Sequence, residues 1–411
     1  MNIKSHAQLQ SSKTPAHASG VGEVPGVTCC CVNLEHPEFL QRCLTIGMEN
    51  SALQLQGELS ASAIGTCNIP RPILTHLNGD TSWLLQLPWK DAPSGRSRFN
   101  ILIDPWFNGI QIDIAWWFSR QWHVTEPAVQ SIAELNERLK GTESLPQGLS
   151  PGSRDEGSAS TQQNTNPYID AVLISHEFTD HCNKGTLLEI DPATPILANG
   201  TAAVTIRSWS HFISVQDIPA LSMAAPMWRT FTADALPSWL GVFRISQSLD
   251  ISNTHAAVVV CFNLEQDGFF GSVTSEDRPA EAVIYTPHGL LPENIKLLSS
   301  ALPPIRPLVL MHGLREVFIG WFGRVNLGAV NGLECCENSK ARYWVPTHDE
   351  VKLGKGLIKY LLRYNSLTVE EAIKRLKETK VKQRAHAVEE TKCTENFQFV
   401  ELNSGDSLLL L

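Results

Sequence analysis

The stretch Ser175-His176-Glu177-Phe178-Thr179-Asp180-His181 constrains this 411-residue chain more than any other. It follows directly on Ile169-Asp170-Ala171-Val172-Leu173-Ile174, an apolar run rich in β-branched residues that reads as a buried strand. Two imidazoles and a carboxylate are therefore delivered together to the end of one strand. Neutral imidazole and ionised carboxylate are ligands that zinc, iron and manganese accept. The motif marks a candidate metal centre.

Composition sets the surroundings. With 43% hydrophobic and 18% charged residues, the chain has the make-up of a globular protein. A formal charge of −9 offers no basic footprint, so no nucleic-acid partner is expected. No segment approaches the roughly 18–20 apolar residues of a membrane span. Met1 to Gly26 is polar, without an apolar signal region, so a cytoplasmic location is expected. Ten cysteines are too sparse for a disulfide scaffold, and neither Cys29-Cys30-Cys31 nor Cys335-Cys336 has a CxxC spacing. They read as reduced structural thiols.

The expected organisation is a disordered N-terminus (1–26), one domain (27–366) with a low-complexity insertion at 141–166, and a C-terminal helix and tail (367–411). Strands are expected at 80–87 and 99–105, joined as a hairpin, and at 169–174, 195–198, 256–264, 282–285, 308–311 and 343–345. Helices are expected at 127–140, 200–209, 292–301, 327–338 and 368–377. The last opens with Thr368-Val369-Glu370-Glu371, a capping-box pattern, and should pack on the core or on a partner chain, which leaves a homo-oligomer open. Strand pairs followed by strand–helix alternation predict an α/β (α+β layered) architecture with helices covering the sheets.

Three further histidines stand beside apolar strands: His255 before Ala256–Phe262, His288 in Thr286-Pro287-His288-Gly289, and His348 in Pro346-Thr347-His348. A metal needs ligands from separate strands to close its shell, which raises these three above the remaining histidines.

From about Leu77 to Glu350 the chain resembles the metallo-β-lactamase superfamily, nearest the branch containing L-ascorbate-6-phosphate lactonase and N-acyl-phosphatidylethanolamine phospholipase D. Ile101-Leu102-Ile103-Asp104-Pro105 looks like that branch's "LIDP" strand, and Ile169 to His176 looks like the strand leading into the HxHxDH motif. His255 matches the third motif and His348 the last histidine. The resemblance implies a metallo-β-lactamase-type αββα sandwich of two mixed sheets with outer helices, its metal site at one edge. It implies His176 and His255 at a first metal position and Asp180, His181 and His348 at a second.

The chain departs from that pattern twice. Phe178 stands where the family has the second histidine of HxHxDH, and His288 stands at or beside its usual bridging aspartate. Three arrangements remain open. One ion could be held by Asp180, His181 and His348, with or without His288. Two could be held if His288 joins His176 and His255. Or the site has lost metal and kept the fold.

The expected cofactor is Zn2+, one or two ions, with iron or manganese compatible with the same ligands. The expected activity is hydrolysis of an ester, lactone, thioester or phosphodiester of a small, fairly apolar substrate by metal-activated water. The resemblance implies that Asp180 orients that water and accepts its proton, and His288, if not a ligand, could act as general acid. The alternatives are a Lewis-acid cyclase, lyase or isomerase, or a non-catalytic binding protein with a degenerate site. Trp106, Phe107, Trp116, Trp117, Phe118 and Trp122, with Trp321 and Phe322, are candidate pocket walls or core, and Arg315 and Arg324 are candidate clamps for an anion.

Overall fold

The computed structural model describes residues 70–89, 91–143, 167–224, 226–231, 235–246, 254–264, 279–320, 323–384 and 397–411. The expected disordered N-terminus, most of the low-complexity insertion, Cys29 to Cys31, and Trp321 and Phe322 lie outside the described residues.

The strands in the first part of the chain are β1 (Ile73–His76), β2 (Trp83–Pro88), β3 (Arg98–Ile103), β4 (Arg120–Trp122), β5 (Ala171–Ile174), β6 (Ile196–Ala198) and β7 (Val215–Asp217). Then come β8 (Leu240–Ser246), β9 (Ala256–Phe262), β10 (Ala280–Thr286), β11 (Ile305–His312), β12 (Arg315–Ile319) and β13 (Gly323–Leu327). The last are β14 (Tyr343–Val345), β15 (Leu353–Lys355), β16 (Leu362–Ser366), β17 (Gln398–Phe399) and β18 (Ser407–Leu409). Four longer helices are α1 (Ile132–Glu143), α2 (Gly200–Ser208), α3 (Gly328–Ser339) and α4 (Val369–Arg384).

Two large mixed sheets result, in the orders β18-β1-β2-β3-β5-β6-β7 and β17-β14-β11-β10-β9-β8. The expected hairpin is β2 and β3, antiparallel; β3, β5 and β6 then run parallel, as do β10, β11 and β14. Side-chain alternation sorts each strand between two cores. Trp83, Leu85, Ile101 and Leu173 of the first sheet meet Val242, Val260, Val283, Met311 and Val345 of the second. On the outer face of the first sheet, Leu84, Leu102 and Val172 pack against Ile132, Leu135 and Leu139 of α1 and Ala202, Ala203 and Ile206 of α2. On the outer face of the second, Val259, Ile284, Leu310 and Trp344 pack against Leu333, Cys335 and Cys336 of α3 and Ala372 and Leu376 of α4. The protein is thus an αββα sandwich, as expected. Strands covered on both faces need continuous apolar runs, which is why β5 and β10 are legible as such.

The differences have local causes. The helix expected at 292–301 is one α-turn (Pro292–Ile295) followed by a 3₁₀ turn (Lys296–Ser300). The Ser299 and Ser300 hydroxyls donate back to the carbonyls of Lys296 and Leu297 and compete with the helical ladder. The expected capping box forms: the Glu371 N–H donates to Thr368 Oγ1, and the Thr368 N–H to Glu371 Oε2. A three-stranded sheet, β13-β12-β16, and a two-stranded pair, β15-β4, were not expected, because their residues mix polar and apolar types without a clean period. Beyond α4 the chain re-enters the sandwich, β17 beside β14 and β18 beside β1. No helix among the described residues is long and apolar enough to cross a membrane.

Leu408 of β18 is fully buried in the inter-sheet core. Leu408→Ala should therefore cost about 2–5 kcal/mol, read as a lower midpoint in urea unfolding; an unchanged midpoint would show that the final strand does not close the sandwich.

Candidate metal centre

The parallel strands β3 and β5 end side by side, and the chain leaving each supplies the first part of the site. Asp104 follows β3 in a left-handed conformation (φ 44°), one of few open to a non-glycine residue and most tolerated by Asp and Asn. This turns its carboxylate towards the chain after β5, where it accepts the Ser175 N–H (2.8 Å), the Ser175 hydroxyl (2.5 Å) and Nδ1–H of His181 (2.7 Å). Asp104 and His181 are fully buried. The loop between them closes by a His181 N–H bond to the Phe178 carbonyl and by the Thr81 hydroxyl donating to the Asp180 carbonyl (2.6 Å).

The second sheet supplies the opposing side. His288 follows β10, and its Nδ1–H donates to Asn326 Oδ1 at 2.8 Å. The chain turns behind it at Gly289 (φ 86°), where a Cβ would meet Asn331 Oδ1 at 2.7 Å, so only glycine serves. His348 follows β14, itself left-handed (φ 58°), its N–H bonded to the Asp80 carbonyl and its Nδ1 3.0 Å from Asp80 Oδ1.

His181, His288 and His348 thus share one logic. In each ring Nδ1 faces an oxygen that only accepts, so Nδ1 carries a proton and Nε2 is the atom left for a ligand. Burial would lower the His181 pKa, but the facing Asp180 and Asp104 raise it, so an ion there would displace a proton. The three ring centroids are 5.0 Å apart pairwise, and one ligand atom of each lies within 4.8 Å of the others. Nε2 of His181, Nε2 of His288 and Oδ1 of Asp180 are buried without a hydrogen-bond partner among the described residues. Orphaned lone pairs this deep are costly unless something electropositive meets them. The donor set fits a divalent transition metal, with Asp104, Asn326 and Asp80 orienting the imidazoles from behind.

A second group, Asp80, Asp180 and His348, also brings its ligand atoms within 4.8 Å of one another. Here Nζ of Lys352 lies 2.7 Å from Asp80 Oδ2 and 2.6 Å from Asp180 Oδ2, its side chain only 7% exposed, over the Trp106 ring at 5.1 Å. Burial alone would lower the Lys352 pKa, but the facing Asp180 and Asp80 overcome it and hold the ammonium above its ordinary value. Burial would likewise raise both carboxyls, and for Asp180 the ammonium, then His181 and His348, hold it well below the usual range. For Asp80, His348 and then Lys352 do the same. His288 is pushed down by burial and by the neighbouring imidazoles, which keeps it neutral. Reading the sequence misses Asp80 and Lys352. Asp80 reads there only as the first residue of the strand expected at 80–87, which begins at Trp83 instead, and nothing near Lys352 marks it as buried.

The other candidates fall differently. The His176 ring lies 5.2 Å from that of His288 and 5.9 Å from that of His181, but its Nδ1 accepts the Phe178 N–H (3.2 Å), which places the proton of the neutral ring on Nε2. Phe178 stacks beside it at 4.2 Å. His255 is not brought into the three-histidine group; its Nε2 donates to the Val325 carbonyl (3.1 Å) on a cavity wall.

That cavity, about 390 Å³, reaches Asp180, His288, His348 and Lys352, and is walled by Ile114, Phe118, Val317, Ile319, Ile358 and Leu362. The aromatic segment splits: Trp106 and Phe107 are core, Trp116 and Trp117 are exposed, and Phe118 faces the cavity. Arg315 and Arg324 both line it, Arg324 paired with Glu316 (3.1 Å) and Arg315 lying over the Tyr364 ring.

No family model matches the chain, and no curated protein matches it. Among solved structures the chain is similar to an isothiocyanate hydrolase from Delia radicum gut bacteria (13% identity, 82% of this chain and 99% of that one, TM-score 0.45). It is also similar to a possible metal-dependent hydrolase from Veillonella parvula (12%, 83% and 100%, TM-score 0.44) and to the metallo-beta-lactamase fold protein YhfI from Bacillus subtilis (12%, 82% and 98%, TM-score 0.39). At such scores a likeness says nothing about what a chain acts on, so the chemistry is taken from the side chains themselves.

Asp104→Asn keeps the tolerated backbone conformation while weakening the acceptor behind His181. Zinc affinity, measured by competition with a chromophoric chelator, should fall by about 10–100-fold; unchanged affinity would remove Asp104 from the support of the site.

Proposed function

We propose that the chain is a metal-dependent hydrolase of the metallo-β-lactamase type, holding its ion on His181, His288 and His348 with Asp180 beside them. One observation carries the reading: three imidazoles, each anchored through Nδ1, bring one ligand atom apiece within 4.8 Å of one another, beside an unpartnered carboxylate oxygen of Asp180. The Ile101 to Pro105 and Pro346-Thr347-His348 segments support the branch of lactonases and phospholipase D enzymes named above. Nitrogen and oxygen donors in this number suit zinc, with iron and manganese as competitors.

When bound, such an ion lowers the pKa of water and polarises the bond under attack. The chain's own groups do the rest. Oδ2 of Asp180 is held by Lys352, so Oδ1 is the atom free to accept the proton of an attacking water. His288, weighed as a general acid, has Nδ1 committed to Asn326 and is taken here as a ligand. The cavity, apolar along Ile114, Phe118, Val317, Ile319, Ile358 and Leu362, suits a small, fairly apolar substrate with an ester, lactone, thioester or phosphodiester bond.

The test is metal content by elemental mass spectrometry, on wild type and His181→Ala purified without chelators, together with turnover of aryl esters, lactones and a bis-aryl phosphodiester. At least one ion per chain is expected, lost in His181→Ala together with turnover. Asp180→Asn should keep the ion and slow turnover by about 10²–10⁴-fold. A folded chain that takes up no zinc, iron or manganese overturns the reading. A loaded chain inert to every probe moves the site to non-hydrolytic Lewis-acid chemistry.

A further inference from the structure

We infer that Lys352 occupies the place of a second metal ion, so that this site is built for a single ion and a tethered ammonium. The inference rests on the metal reading above and says how many ions that site takes. Asp80 and Asp180 bring carboxylate oxygens within 4.8 Å of each other and of a ring nitrogen of His348; with His348 serving the first ion, the two carboxylates are what a second ion would bind. Lys352 Nζ lies 2.7 Å from one of those carboxylates and 2.6 Å from the other. An ion on the two oxygens that face the ammonium would have to displace it.

The ammonium is not a loose surface group swung inward. Its side chain is 7% exposed and lies over Trp106, which is itself fully buried. Asp80 is fixed in turn, its N–H bonded to Asn78 Oδ1 and its carbonyl to the His348 N–H.

Lys352 is then a positioning residue. It replaces the charge of a second ion without offering a coordination site, and it pins Oδ2 of Asp180 so that Oδ1 faces the ion and its water.

Metal stoichiometry tests this apart from activity. Wild type, Lys352→Ala and Lys352→Arg are equilibrated with excess zinc, desalted and counted by elemental mass spectrometry, with circular dichroism to confirm folding. The expected counts are one ion per chain for wild type, two for Lys352→Ala, where Asp80 and Asp180 are released, and one for Lys352→Arg, which keeps the charge. Two ions in wild type overturn the inference, as does a single ion in folded Lys352→Ala. If Lys352→Ala does not fold, the wild-type count at saturating zinc decides alone. No ion in wild type overturns the metal reading itself, a result distinct from two.

Discussion

Three carboxylates buried at one edge of the sandwich are the constraint on which the rest of the site depends. An isolated ionised carboxylate in such a place would protonate rather than stay charged. Here each has compensation already built. Asp104 accepts three hydrogen bonds, Asp80 is held by His348 and Lys352, and Asp180 shares the same ammonium. Removing Lys352 would take the shared cation from two buried carboxylates at once, a fault worth about 3–5 kcal/mol in other proteins. The charged groups therefore stand or fall together, and the geometry of the imidazoles follows from them.

Holding those groups requires backbone that the chain would otherwise avoid. Asp104 and His348 both adopt positive φ, at about 1–3 kcal/mol each. They leave β3 and β14, strands whose residues are locked between two covered faces. Rigid strands absorb the strain, and the loops beyond them aim side chains that a flexible segment could not hold in register. The same division explains the side chains that stand behind the imidazoles. Asn326 comes from the end of β13 and Asp80 from the β1–β2 connection, so with Asp104, Asp180-His181, His288 and His348 to Lys352 six separated parts of the sequence meet in one cluster.

What could be read beforehand follows from that division. β5 and β10 were legible because strands covered on both sides must be continuously apolar, and His181, His288 and His348 were legible because imidazoles at the ends of such strands are conspicuous. Lys352 and Asp80 were not. A lysine is nearly always solvated, and nothing in the residues around position 352 says that this one is turned inward by two distant aspartates. His176 shows the converse. Its place in the motif suggested a ligand, yet the Phe178 N–H against its Nδ1 fixes the other tautomer, a property of the folded loop alone. The small sheet β13-β12-β16 was hidden because its half-exposed strands carry no periodic signal.

That small sheet also divides the work of the molecule. Within the two main sheets, residues are committed to packing and to the charge cluster, and few are free to vary without disturbing it. The cavity wall is different: Val317 and Ile319 of β12, Leu362 of β16, and Ile358 and Phe118 nearby line the space above the site, with Val317 in register beside Asn326 behind His288. A cavity of about 390 Å³ lies at the lower end of the range for small-molecule sites, so the walls bound both the size and the polarity of what reaches the centre. On the proposed reading, reactivity belongs mainly to the sandwich edge and selectivity to the cavity face of this added sheet, which also lends Asn326 to His288. A relative with the same His and Asp centre and a different β12–β16 surface would then keep the reaction and change the substrate.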